Sequence, residues 1–106
     1  MLKRKRRQTT PGDILRAHYL LPRGIPIVRF AETLGCSRKH MSNIVHGHAR
    51  IEATMATRMA KVLGTTPELW INLQNAVDLY DAALTLKSWR PARTFESAPR
   101  RAVATG

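Results

Sequence analysis

The chain has 106 residues, 43% of them apolar, which is material for one hydrophobic core and not for two. Lys and Arg number 18 against 7 Asp and Glu, a net charge of +11 that points to phosphate-rich or otherwise acidic partners. Cys36 is the single cysteine, so an intramolecular disulfide framework is excluded, and no stretch approaches the roughly 20 apolar residues of a membrane span. Met1 to Arg7 is basic with no apolar run behind it, so the expectation is a cytoplasmic protein without a secretory signal.

The charge is uneven along the chain. Residues 3–7 read KRKRR, and from Lys87 onward five cations stand against Glu96 among prolines and small residues. Segments 1–9 and 87–106 are therefore expected to be flexible basic tails around a domain over 10–86. Residues 8–86 hold eight cations and six anions, so the folded part is nearly neutral. Gly35 to Arg50 contains Arg38, Lys39, Arg50 and three histidines with no acid, whereas Val62 to Thr85 contains Glu68, Asp78 and Asp81 with no Lys or Arg. This predicts a two-sided domain, with Asp78 and Asp81 turned away from whatever polyanion the basic side meets.

Thr10-Pro11-Gly12-Asp13 opens the first element, with Thr10 as N-cap and Pro11 at the first helical position, where its missing N–H is harmless. The spacing predicts a helix over Pro11 to Leu20, broken by Leu21-Pro22-Arg23-Gly24-Ile25-Pro26. A short second helix runs from Ile27 to Leu34 and stops at Gly35. Ser37 caps a third, Arg38 to His46, in which Met41, Ile44 and Val45 form a single inward stripe. A fourth, Ala53 to Leu63, ends at Gly64. Thr66 caps a fifth with Pro67 and Glu68 in its first turn and apolar positions at 69, 73, 77, 80 and 84. No alternation long enough for a strand occurs, so the predicted fold is all-α with five helices.

Helices two and three carry the functional signal. Ala31, one turn before Gly35, permits close crossing of two short helices, and Gly35 permits the sharp reversal between them, which is the anatomy of a helix-turn-helix. In that motif the second helix enters the major groove of double-stranded DNA and its N-terminal residues face base edges. With Met41, Ile44 and Val45 inward, the expected base readers are Arg38, Lys39, His40, Ser42 and Asn43. Arg and Lys donate to guanine O6 and N7, and Asn pairs with adenine N6 and N7. Ser37, His46 and Arg50 are expected on phosphate oxygens, which set register without reading sequence.

The segments Thr10 to Arg16, Leu34 to Arg38, Met55 to Thr65 and above all Pro67-Glu68-Leu69-Trp70-Ile71-Asn72-Leu73-Gln74 together resemble HigA-type antitoxins across about residues 10–86. The resemblance implies a lambda-repressor-like helix-turn-helix domain. It further implies a homodimer that represses its own operon and neutralises a HigB-like toxin, a ribosome-dependent mRNA endonuclease. A stand-alone repressor without a toxin partner is the alternative. Two positions depart from the family pattern. Pro26 and Ile27 stand where a Ser or Thr cap and a phosphate-binding Gln usually open helix two, and Glu52 stands where Ser or Thr usually caps helix four.

On helix five, Leu69, Trp70, Leu73 and Val77 read as core against helices one and four, Val77 also falling on the stripe that runs on to Tyr80 and Leu84. The stripe continues further than a small bundle needs, and a repressor reading a two-fold operator must hold its recognition helices about 34 Å apart. Val77, Tyr80 and Leu84 are therefore the expected homodimer interface. Cys36 is expected to pack in the turn rather than react. His40, His46 and His48 lack carboxylate partners apart from Glu52, and His40 and His46 fall on different helix faces, so neither a metal site nor a catalytic centre is expected. No cofactor, small-molecule substrate or membrane partner is implied. RNA recognition would lean on exposed stacking aromatics, whereas Phe30, Trp70 and Tyr80 lie on the apolar stripes.

Overall fold

The computed structural model describes residues 9–95. Among them are five helices and no strand. Helix α1 is continuous from Pro11 to Arg23 but changes pitch, running as α-helix over Pro11–Ile14, π-helix over Leu15–Leu20 and α-helix over Leu21–Arg23. Then follow α2 (Ile27–Leu34), α3 (Arg38–Val45), α4 (Ala53–Leu63) and α5 (Pro67–Thr85). No helix among the described residues is long and apolar enough to cross a membrane. Residues 1–8, and with them most of the expected N-terminal tail, lie outside the described residues, as does the C-terminal tail beyond residue 95. Residues 87–95 are exposed and carry no helix.

The helix starts follow from local capping. Thr10 Oγ1 accepts from Asp13 N–H while Thr10 N–H donates to the Asp13 carboxylate, both at 3.1 Å, a reciprocal capping box. Ser37 Oγ accepts from His40 N–H at 3.0 Å and Thr66 Oγ1 from Leu69 N–H at 3.2 Å. The expected end of α1 needs correction: the helix runs through Pro22 and stops at Gly24, which takes a left-handed φ of 62°. In a regular α-helix the Pro22 ring would strike the carbonyl four residues back. Here the turn before it is widened, with Leu21 N–H donating five residues back to Arg16, and the proline is accommodated.

One core joins all five helices. Leu15 and Leu20 of α1, Phe30, Ala31 and Leu34 of α2, and Met41, Ile44 and Val45 of α3 meet Ala56, Met59 and Leu63 of α4 and Trp70 of α5. Trp70 is fully buried, its indole N–H donates to Thr65 Oγ1 at 2.8 Å, and Tyr19 stands edge-on to it at 5.5 Å. Helix α1 touches α3 backbone to backbone. Gly12 is buried where an added Cβ would fall on the carbonyls of Ile44 and Val45, so the missing side chain sets how closely the first helix approaches the end of the third.

Candidate nucleic-acid interface

The turn between α2 and α3 is closed by Gly35 at φ 78°, a left-handed conformation that costs a residue with a Cβ about 1–2 kcal/mol. Gly35 N–H donates to the Glu32 carbonyl and Cys36 N–H to that of Ala31, at 3.2 and 3.0 Å, a Schellman termination of α2. Arg58 of α4 adds a hydrogen bond to the Leu34 carbonyl at 3.2 Å. Cys36 is half-buried against the core, and burial pushes its thiol pKa up with Arg58 partly opposing, so it is held as the neutral thiol. These contacts fix α3 at a set angle to α2 and leave its outer face open.

On that face Arg38, Lys39 and His40 are exposed in the first turn, and Ser42 and Asn43 are half-buried in the second. The opposite face is sealed, with Met41, Ile44 and Val45 at most 3% exposed. Among the described residues neither Arg38 nor Lys39 has an acidic partner. Two cations in the first turn also run against the positive end of the helix dipole, a local cost of about 0.3–1 kcal/mol each, which folding does not call for. His46 caps the C-terminus, with its Nδ1 donating to the Ser42 carbonyl at 2.8 Å, which leaves Nε2 facing solvent. The Asn43 carbonyl accepts from both His48 and Ala49 N–H, at 2.7 and 3.1 Å, while its side-chain amide stays available on the outer face.

No family model matches the chain. It is 42% identical over 81 residues to Antitoxin HigA-1 of Vibrio cholerae serotype O1, covering 76% of each chain. The chain belongs to the HigA antitoxin family. The Pseudomonas aeruginosa antitoxin HigA, solved with the higBA promoter, superposes with a TM-score of 0.74 at 28% identity, over 82% of this chain and all of that one. Antitoxin GraA in complex with its operator gives 0.70 at 32% identity, over 89% of this chain and all of that one.

This HigA-family domain departs from the sequence expectation on the far side of α3. Arg50, expected on phosphate, is bound within the protein. Its two terminal nitrogens donate to the two carboxylate oxygens of Asp78 at 2.8 and 2.7 Å, and its Nε lies 3.2 Å from Glu52. The hydrogen bonds from Arg50 hold the Asp78 carboxyl below the usual carboxylate range, and Asp78 in turn holds the guanidinium above its ordinary pKa. The expected separation of acids from the basic side is thereby corrected. Helix α5 passes the loop after α3, and an open cleft of about 670 Å³ there is shared by His40, His48, Arg50, Gln74, Asp78 and Asp81. Glu52 accepts no capping hydrogen bond from α4, because its carboxylate turns to Arg50. Pro26 likewise gives α2 no side-chain cap.

Gln74 is the polar residue that sequence reasoning left unassigned. It is 6% exposed, and its Oε1 accepts from Ile51 N–H at 2.8 Å while its Nε2 donates to Asp78 at 3.1 Å. Its signal was an uncharged amide inside an apolar helical stripe between Trp70 and Val77. The expected interface also divides. Val77 is 8% exposed and belongs to the inward face, Tyr80 is half-buried, and Leu84 is 56% exposed. Leu79 and Leu86, not anticipated, are 71% and 52% exposed along the same end of the chain. Among the described residues no three His, Cys, Asp or Glu side chains are grouped to hold a metal ion.

Proposed function

We propose that this chain is an antitoxin that binds the double-stranded operator DNA of its own operon and represses it, working in the cytoplasm on the nucleoid. The observation that carries the reading is α3 itself. One face is sealed into the core while the other offers Arg38, Lys39, His40, Ser42 and Asn43 as donors and acceptors at groove spacing. Relatives solved on promoter or operator DNA support it. Ser37, whose hydroxyl hydrogen stays available beyond its cap, holds a phosphate oxygen, and His46 holds one through Nε2 in its doubly protonated form, since Nδ1 already donates to the Ser42 carbonyl. The role is binding rather than catalysis.

The molecule acts as a homodimer joined by the C-terminal half of α5 through Tyr80 and Leu84, which share one face of the helix. As its family membership supports, it also neutralises a HigB-like mRNA endonuclease. Arg38→Ala, Lys39→Ala and Asn43→Ala each lower affinity for the gene's upstream DNA by about 1–3 kcal/mol and for random DNA far less. Equal losses on both DNAs in a gel-shift series defeat the readout. Leu84→Asp shifts the sedimentation profile to the monomer, and a Leu84→Asp variant that sediments as the dimer places the interface elsewhere. Co-purification with the product of a small adjacent reading frame tests the toxin; its failure leaves the stand-alone repressor.

A further inference from the structure

The loop from Gly47 to Glu52 is tied at both ends. At its start the Asn43 carbonyl takes the His48 and Ala49 N–H groups. At its end Ile51, 1% exposed, donates its N–H to Gln74 on α5, and Arg50 is clamped by both oxygens of Asp78. Asp78 also orients the glutamine: with Nε2 turned to Asp78 Oδ1, Oε1 necessarily faces the Ile51 N–H. A single carboxylate therefore holds the Arg50 side chain and the Gln74 amide in one chain of hydrogen bonds running from α5 to the loop that follows the reading helix.

We propose that Asp78, acting through Gln74 and Arg50, is a positioning residue for DNA readout. It holds the loop, and through the Asn43 carbonyl the second turn of α3, at the depth at which Ser42 and Asn43 meet the bases. Arg50 is then a strut between the loop after α3 and α5 rather than a phosphate ligand. This rests on the DNA-binding reading above.

Electrostatics alone gives Asp78→Ala the opposite sign. Removing a negative charge beside the basic helix tightens binding to every DNA, and freeing Arg50 for a phosphate steepens the salt dependence by about 0.9 in log–log slope. The positioning role instead costs the upstream DNA of this gene about 3- to 30-fold in affinity, with random DNA of equal length unchanged or bound slightly more tightly. The assay is fluorescence anisotropy on the full chain, with thermal melts to show that the variant is folded. In the DNA-free protein, Asp78→Ala also speeds hydrogen exchange at the Ile51 amide. Single variants Arg50→Asp and Asp78→Arg lose selectivity, and the double variant with both recovers part of it, because the strut is rebuilt with its charges reversed while an arginine at position 78 cannot accept from Gln74 Nε2.

Asp78→Ala binding both DNAs more tightly, or a double variant no better than its parents, overturns the proposal and makes Arg50 a phosphate ligand restrained by Asp78. A wild-type chain that does not prefer its upstream DNA overturns the DNA-binding reading itself. The exchange rate at Ile51 still separates the two failures.

Discussion

Gly12→Ala tests whether the approach of α1 to α3 is as close as the backbone requires. Gly12 is not among the glycines with positive φ, so alanine meets no backbone strain there, and in a helix it gains up to about 1 kcal/mol over glycine. Its Cβ, however, would stand 2.6 Å from the Val45 oxygen and 2.8 Å from its carbonyl carbon, and nearer still to the Ile44 oxygen. Those atoms are backbone at the buried end of α3, so α1 must retreat by roughly an ångström rather than a side chain yielding. Overpacking of this kind costs about 1–3 kcal/mol, and with backbone on both sides the upper part of that range applies, for a net loss of about 2 kcal/mol. In a domain of this size that lowers Tm by about 8–16 °C, read by circular dichroism. Gly24→Ala is the contrast. It faces open space but needs φ 62°, so it costs about 1–2 kcal/mol through conformation alone. A Gly12→Ala protein that melts at or above the wild type refutes the close packing.

Gln74→Ala leaves the buried Ile51 N–H without its acceptor, and an unsatisfied donor of this kind costs about 1–3 kcal/mol, measured by urea denaturation. A loss no larger than that of an exposed substitution on α5 means that water replaces the amide. The Asp78 carboxyl is held below its ordinary pKa, so its contribution to stability is complete above the unfolded carboxylate range and disappears as pH falls through the lowered folded value. The stability difference between wild type and Asp78→Ala therefore shrinks below about pH 4, near the reference carboxylate pKa. Paired melts from pH 2 to 7 check this, and a difference that grows on acidification contradicts it.

The helices were legible because the signals that start and stop them are local. Thr10, Ser37 and Thr66 reach the N–H groups three residues on, and Gly35 and Gly64 accept the left-handed turn, within spans a sequence displays directly. The readers were legible as the complement of an inward stripe. What escaped depends on contacts between elements. Arg50 and Asp78 are 28 residues apart, and their pairing exists only because α5 crosses the loop after α3. Composition counted Arg50 as a cation facing outward and Asp78 as an acid facing away, whereas the fold makes them neutralise each other. Pro22 gave a true local signal, but a wider helical turn absorbed it, and only tertiary packing decides between a break and a bulge.

The internal pairing of Arg50 also redistributes the electrostatics of DNA binding. With that charge engaged, the unpaired cations of the reading helix are Arg38 and Lys39, too few to account for strong non-specific attraction at about 0.9 units of log–log salt slope per phosphate neutralised. Residues 3–7 carry five cations at the N-terminal end, so per protomer they can contribute up to about four or five units of that slope. Removing residues 1–8 should then flatten the salt dependence and weaken upstream and random DNA alike, leaving their ratio within about twofold, because phosphate contacts position and base contacts specify. Filter-binding titrations from 50 to about 300 mM salt measure both quantities at once. A ratio that collapses on truncation would mean that the basic segment itself reads sequence, and the division of labour between tail and α3 would have to be withdrawn.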